Sequence, residues 1–240
     1  MTVVSDAAGV PASREKPWSG GGREELVAEI RRLMALTVTV TASAEVLADA
    51  ARRAAALADE LDLHVPEPES VPTGMFAERS VSPEEVTTLA SAMPFDMVIG
   101  SCNPVALPIT VEFEPPKAIG RAMFTPPFEG APGCVHGAAL AGAFDIMLTA
   151  ANVIANGAGP TVELSIRYLK PTLLAEPALF EAWVTSLDER RTHSRGHLIQ
   201  GGVVTVEATG EFVNLDRSRI NAMHRRDGNG DPTGPRERAQ

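Results

Sequence analysis

Residues Val135–Ala155 read VHGAALAGAFDIMLTAANVIA, and this stretch decides the fold. It has the length of a helix, is rich in alanine and is apolar on nearly every side. A helix without a polar face is normally buried inside a protein instead of lying on its surface. The rest of the chain must therefore supply a surface that surrounds one apolar helix.

Two features of this helix point to chemistry. Asp145 lies in its middle among apolar neighbours, where a carboxylate is costly unless it is paired or has a task. The turn Gly130–Gly133 leads into His136 and Gly137, which open the helix. A helix start flanked by glycine presents free backbone N–H groups that suit a developing negative charge. The sequence therefore predicts an anion-stabilising helix end and a buried carboxylate on the same element.

The composition is that of a folded domain with an acidic balance. The chain has 240 residues, of which 44% are hydrophobic, 22% charged and 5% aromatic, and its formal net charge is −10. The apolar residues suffice for a sizeable core, and the length allows one or two domains. An acidic chain without a basic stripe is a poor nucleic-acid binder, so the composition argues against that class of function.

The sequence predicts a cytoplasmic protein that does not cross a membrane. The first 18 residues lack the apolar core of a signal peptide. The stretch 135–155 approaches the length of a membrane span, but it contains His136, Asp145 and Asn152 and has no flanking Lys or Arg. A buried core helix is therefore favoured over a membrane span.

Cysteine and histidine spacing favours neither a metal site nor a redox motif. Cys102 and Cys134 form no C-x-x-C pair, so we expect reduced thiols, with a single disulfide as the alternative. His193 and His197 lie four residues apart in a predicted strand, and no third ligand is evident. We therefore expect no metal.

The chain divides by composition into five segments. The region 23–63 has the three-four apolar spacing of helices, with a break near Thr41, and a dimerising coiled coil is the less favoured alternative because the heptad is not sustained. Prolines crowd the segment that follows it. We predict a disordered N-terminus (1–22), a helical extension (23–63), a linker (64–94), a main domain (95–220) and a disordered tail (221–240).

In the main domain the period becomes strand-like on both sides of the apolar helix. A short apolar run at Met97–Ser101 comes first, and alternating strands follow. Turn residues separate the strands and no βαβ alternation is present. The pattern predicts an α+β domain in which an antiparallel sheet wraps around one long central helix. The predicted strands are Ile109–Glu114, Lys117–Phe124, Thr161–Tyr168, Ala178–Leu187, Thr192–Gln200 and Val203–Leu215.

Between about Phe95 and Leu215 the chain resembles the hotdog-fold thioesterases, in particular the PaaI-like acyl-CoA thioesterases. Residues 129–137, EGAPGCVHG, look like the family's loop into an HGG helix start, and Asp145 stands nine residues after His136. Thr161 leads TVELSIRYLKP, similar to the family's T-x-x-L-x-I-x-Y-x-x-P strand. One departure is Ala138, which replaces the usual second glycine. The N-terminal helices and the tail lie outside the resemblance.

The resemblance implies hydrolysis of acyl-CoA thioesters by a dimer or a dimer of dimers with sites at the subunit interface. Asp145 would activate water or attack directly, and the Gly137 N–H would stabilise the oxyanion beside His136. Thr161 would hold the water or orient the carboxylate. No cofactor is expected beyond the coenzyme A of the substrate.

Residues around this centre are the predicted substrate contacts. Gly130 and Ala138 would flank the substrate, and Arg190 with Arg191 would meet the phosphates of coenzyme A, although a solvated turn is the alternative for the arginines. Asp145 could instead be structural. Two other functions remain open: a non-catalytic acyl-CoA-binding or regulatory protein, and an enoyl-CoA hydratase or dehydratase of the same fold.

Overall fold

The computed structural model describes residues 22–65, 89–157 and 159–214. The predicted disordered termini therefore lie outside the described residues, apart from residue 22. The same holds for most of the predicted linker, residues 66–88. Helices are α1 (Arg23–Thr39), α2 (Ala44–Asp62), α3 (Leu89–Ala92) and α4 (Gly137–Ile154), and a short 3-10 turn spans Pro126–Phe128.

Six strands form one antiparallel sheet across which α4 packs. The strand order is β1-β2-β4-β5-β6-β3, and α4 contacts all six strands. The predicted α+β fold, a sheet around one long helix with an N-terminal helical extension, is confirmed. The strands are β1 (Ile109–Glu114), β2 (Lys117–Ala122), β3 (Thr161–Tyr168), β4 (Ala178–Leu187), β5 (Arg191–Gln200) and β6 (Val203–Val213).

The core lies between α4 and the inner face of the sheet. Phe144 of α4 meets Phe180 of β4 edge to face, with ring centroids 5.2 Å apart. Gly196 of β5 leaves the room for this ring, because a Cβ there would lie 3.1 Å from Phe144 Cε1. Alternation along the strands supplies the apolar inner face, as the sequence pattern predicted.

The apolar helix is less enclosed than its sequence predicts. Only half of α4 is buried, and one side of it, bearing Ala138, Gly142, Asp145 and Thr149, stays partly open. By length and hydropathy α4 could span a membrane, but here it is the core helix of the domain.

Buried polar contacts fix the far end of α4 to the sheet. The Asn152 side chain is buried and accepts a hydrogen bond from the Ser194 hydroxyl of β5. The Gly157 N–H donates to the Asn152 carbonyl at 2.8 Å. These bonds satisfy groups that would be costly to bury unpaired, so they hold the helix in one position on the sheet.

Met97–Ser101, a short apolar run in the strand-like part of the sequence, is a turn and not a strand. The Asp96 carboxylate accepts hydrogen bonds from the N–H groups of Val98 and Ile99 at 2.7 and 3.0 Å. The Gly100 N–H then donates to the Asp96 carbonyl at 2.9 Å. Asp side chains favour such turns over extended ladders, and this local bonding overrides a five-residue apolar pattern.

The N-terminal helices differ in how they meet the domain. Arg31 of α1 donates to the carbonyls of Gly100 (2.9 Å), Asn103 (2.6 Å) and Pro104 (3.4 Å). Burial of this guanidinium lowers the pKa of Arg31. Helix α2, in contrast, has no buried residue. Arg31 therefore anchors α1 to the domain, while α2 extends from it.

We expect Arg31→Met to lower the free energy of unfolding by about 1–3 kcal/mol, since three carbonyls lose a charged donor. Urea denaturation at neutral pH measures the change. Arg32→Met is the matched control, because Arg32 is exposed and pairs only with Glu29 on its own helix. An equal loss in both variants would show that the carbonyl contacts do not stabilise the docking of α1.

Candidate active site at the start and middle of the central helix

The loop before α4 is held rigidly by its own hydrogen bonds. The Gly133 N–H donates to the Glu129 carboxylate at 2.7 Å, and the Gly130 N–H donates to the Cys134 carbonyl at 2.9 Å. Gly133 adopts a φ of 74°, which glycine tolerates best. The His136 N–H then donates to the Phe128 carbonyl at 2.8 Å. The start of α4 therefore has one defined geometry.

One backbone donor is free at this helix start. The Ala138 N–H donates to His136 Nδ1 at 3.0 Å, which makes His136 the N-cap of α4. The next amides, of Ala139 and Leu140, donate to the His136 carbonyl. Among the described residues no group accepts a hydrogen bond from the Gly137 N–H. Gly137 is thus the donor available to a ligand, while the Ala138 donor is engaged within the chain.

The hydrogen bond from the Ala138 N–H also determines the tautomer of the exposed His136 ring. Because Nδ1 accepts a hydrogen bond, the proton of the neutral imidazole resides on Nε2. The Nε2–H group is therefore a donor at the surface of the protein. This geometry suits a donor beside the oxyanion and does not suit a base.

Asp145 is half-buried and held by one neighbour, so the expectation of a fully buried carboxylate is wrong. The Thr161 hydroxyl at the start of β3 donates to Asp145 Oδ1 at 2.7 Å. Within residues 22–65, 89–157 and 159–214, Asp145 forms no salt bridge and has no other hydrogen-bond partner in its side chain. Thr161 thus orients the carboxylate, and Oδ2 stays available.

The two halves of the candidate site do not meet within one chain. Asp145 lies nine positions after His136, the N-cap, which corresponds to about 13 Å along the axis and about half a turn around it. A thioester-sized group cannot contact both from the same chain. The arrangement therefore requires either a second copy of the protein or separate roles for the two residues.

The remaining predicted contacts fall into two groups. Gly130 packs against His136, where a Cβ would lie 2.9 Å from the His136 Cα, and Ala138 is exposed at the helix start. Arg190 and Arg191 lie at the β4–β5 turn, near the other end of α4 in the same chain. Their roles as substrate contacts stay predictions.

The β4–β5 turn has its own electrostatics. The N–H groups of Arg190 and Arg191 donate to Asp188 Oδ1 at 2.7 and 2.8 Å and lower the pKa of Asp188. Arg191 Nη1 also lies 3.1 Å from Glu211 Oε1, in an ion pair without hydrogen-bond geometry. Arg191 is therefore already paired, and Arg190 is the freer of the two cations.

Tyr168 at the end of β3 lies at the candidate site, although the sequence pattern indicated no functional role for it. Its hydroxyl donates to the Gly137 carbonyl at 2.8 Å. A Cβ on Gly137 would lie 3.0 Å from the Tyr168 hydroxyl and 3.1 Å from Cζ. Tyr168 is the single tyrosine of the chain and lies in the strand that begins at Thr161. This position in the sequence is the signal that could have identified Tyr168 as a site residue.

Two cavities of the chain lie away from these residues. One of about 340 Å³ is on the outer face of the sheet beside His193 and Arg195, and one of about 640 Å³ is beside Pro115–Lys117 and Trp183. Neither is lined by Asp145 or the helix start. In the described part of the chain, no group of three or more His, Cys, Asp and Glu side chains is arranged to hold a metal ion.

Comparison with known proteins finds similarity to thioesterase superfamily proteins. Residues 132–207 match the model of the Thioesterase superfamily. A thioesterase superfamily protein of known crystal structure is 27% identical with a TM-score of 0.70, and the match covers 81% of this chain and 92% of that one. Residues 95–240 alone are too few for this coverage, so the match reaches into the N-terminal region. None of the curated proteins matches the chain.

More distant solved structures match a smaller part of the chain. The phenylacetic acid degradation protein PaaI from Thermus thermophilus is 20% identical over 45% of this chain and 95% of that one, with a TM-score of 0.43. A Streptococcus mutans protein solved bound to acetyl CoA is 19% identical over 45% and 88%, with a TM-score of 0.42. The chain thus has the hotdog fold, a sheet around one long helix, and over residues 132–207 it is similar to the Thioesterase superfamily.

Proposed function

We propose that the protein hydrolyses acyl-CoA thioesters in a site shared by two copies of the chain. The free Gly137 N–H of one protomer would face the Asp145 carboxylate and the Thr161 hydroxyl of the other. The observation that carries this proposal is that one helix bears a free backbone donor at its start and, about 12 Å further along its axis, a carboxylate that keeps one oxygen available.

The edge of the sheet at β3 is the candidate dimer contact. β3 ends the strand order, and its Val162 and Tyr168 are 52% and 53% exposed. The open side of α4 lies on the same side of the domain as β3, to which Asp145 is bonded. Joining two sheets at β3 would cover the open side of α4.

The proposed reaction needs no cofactor, because its only reactants are the acyl-CoA and water. Asp145 takes a proton from water as the water oxygen bonds to the thioester carbonyl carbon, and the oxyanion accepts hydrogen bonds from the Gly137 N–H and His136 Nε2–H. The C–S bond then breaks, and the coenzyme A thiolate takes up the proton as the carboxylic acid leaves. Direct attack by Asp145 through an anhydride uses the same groups, and the two routes remain alternatives.

The proposed location is the cytoplasm. Both cysteines are free thiols, which fits a reducing compartment.

Arg190 in the β4–β5 turn is the proposed contact for a phosphate of coenzyme A. It is exposed, and it is a better candidate than Arg191 because Arg191 already pairs with Glu211.

The acyl group that the protein cleaves fastest would define its selectivity for acyl-chain length. The same acyl group would define its proposed place in lipid metabolism.

A thiol-release screen tests the proposal. The wild-type protein is incubated with acyl-CoAs from acetyl to palmitoyl and with phenylacetyl-CoA, and free thiol is measured against a protein blank. Crotonyl-CoA hydration is followed in parallel by its ultraviolet absorbance, and light scattering gives the oligomeric state. We expect thiol release without hydration from a dimer or tetramer. Tight acyl-CoA binding without thiol release would support the non-catalytic alternative.

A further inference from the structure

We propose that Tyr168 is a positioning residue that fixes the oxyanion donors at the start of α4. This inference rests on the proposed function, because it assigns a role to a residue beside the same helix start. Its carrying observation is the hydrogen bond from the Tyr168 hydroxyl to the Gly137 carbonyl, 2.8 Å long, across from the free Gly137 N–H.

The bond is one of two in series through a single peptide group. Tyr168 donates to the carbonyl of the Gly137–Ala138 peptide, and the N–H of that peptide donates to His136 Nδ1. Hydrogen bonds in series polarise one another, so the first strengthens the second. The second orients the imidazole ring, and its Nε2–H is the second proposed oxyanion donor. Tyr168 therefore acts on the His136 donor through these two bonds, and it holds Gly137, which carries the other donor, by the carbonyl of that residue.

The Tyr168 ring leaves little room for a side chain at position 137, which favours glycine there. The Tyr168 ring lies over Gly137 so closely that a Cβ would come within 3.1 Å of Cζ. The half-exposed ring thus covers one side of the helix start while the other side stays open to a ligand. A larger residue at position 137 would displace the ring and with it the bond to the carbonyl.

The chain after Tyr168 continues along the same loop. The Val135 N–H donates to the Thr172 carbonyl at 2.8 Å, and the Leu174 N–H donates to the Gly133 carbonyl at 3.0 Å. At its other end, β3 orients Asp145 through Thr161. One edge strand thus holds both chemical groups of α4, the carboxylate by its first residue and the helix start by its last.

Tyr168→Phe removes the hydroxyl and keeps the ring. We expect kcat to fall by about five- to tenfold with KM within about twofold of wild type, because the loss acts on donors that work in the transition state. Ser165→Ala, on the same strand and with no side-chain hydrogen bond among the described residues, should keep wild-type kcat. An unchanged kcat in the phenylalanine variant, with or without a lower melting temperature, would overturn the positioning role.

A readout independent of turnover uses the single tyrosine. Protein labelled with 3-fluorotyrosine gives one fluorine NMR signal, from Tyr168. We expect this signal to shift when S-(2-oxopropyl)-coenzyme A is added, since its ketone takes the place of the thioester carbonyl. A signal that does not move in an enzyme that releases thiol overturns the inference and leaves the proposed function intact.

The other two outcomes are equally decisive. A signal that moves in a protein without thiol release supports Tyr168 at the ligand site and overturns hydrolysis as the function. A signal that does not move in a protein without thiol release overturns both. The two claims therefore fail separately.

Discussion

Asp145→Asn is expected to lower kcat for acyl-CoA hydrolysis by about 10²–10⁴-fold, the usual range for loss of a general base. Asparagine has nearly the same shape and keeps an oxygen for the Thr161 hydroxyl, which lies 2.7 Å from Asp145 Oδ1. It can neither take a proton from water nor attack the thioester. Steady-state thiol release at saturating substrate measures the loss, and thermal melting shows whether the fold is kept.

Glu112→Gln is the matched control for this variant. Glu112 is an exposed carboxylate on β1, at the sheet edge opposite to β3, so its neutralisation removes the same charge away from the proposed dimer contact. Its kcat should stay within about twofold of wild type, as for surface changes away from a site. Equal rates for wild type and Asp145→Asn would remove Asp145 from the mechanism.

Gly137→Pro is expected to lower kcat by about 10²–10³-fold, the typical effect of losing one oxyanion donor. Proline has no N–H, and position 137 is the first residue of α4, where proline is well tolerated. His136 already has a φ of −64° and a ψ of 133°, the conformation favoured before proline. The substitution therefore deletes the free donor and leaves the start of the helix in place.

Gly137→Ala is the control for the added Cβ. Alanine retains the N–H but adds a Cβ that would lie 3.0 Å from the Tyr168 hydroxyl, and proline adds the same atom. The ratio of kcat between the alanine and proline variants therefore reports the loss of the N–H together with its replacement by the proline ring carbons, apart from the Cβ contact with Tyr168. If both variants lose activity equally, the contact with Tyr168 matters and the Gly137 N–H does not stabilise the oxyanion.

Co-expression of the two inactive variants tests whether the site is shared. In a mixed dimer of Asp145→Asn and Gly137→Pro chains, one site combines both defects and the other combines the intact Asp145 with the intact Gly137. Random assembly should then restore about a quarter of wild-type activity, because half of the dimers are mixed and each has one complete site. Sites confined to single chains would give no restoration at all.

The sequence pattern located most elements of the fold and both halves of the site. Period-two alternation marked Thr161–Tyr168 with the bounds the structure shows, and the apolar run 135–155 contains α4. Met97–Ser101 is also a short apolar run, but it is a turn and not a strand because the Asp96 carboxylate binds the backbone N–H group of Val98. A short apolar run does not reveal which backbone groups a neighbouring side chain will bind.

At the start of α4, too, the sequence identifies the residues, and only the structure shows which of their atoms form hydrogen bonds. His136 and Gly137 were identified from a motif, but the state of the ring depends on the Ala138 N–H that Nδ1 accepts. Ala138 also carries a backbone donor at the helix start, and in the structure that donor is engaged by His136. Such assignments depend on distances that residue types alone do not fix.

The amino-acid sequence by itself determined the apolar helix, its alternating strands, and the acid and glycine on that helix, because periodicity and residue type are local properties. Tertiary structure alone decided that Thr161 orients Asp145, that Tyr168 covers Gly137, and that one side of α4 stays open. Those facts arise where β3, distant from the helix start in sequence, packs beside it. Contacts between distant segments are set by packing of the whole domain, which no local pattern records.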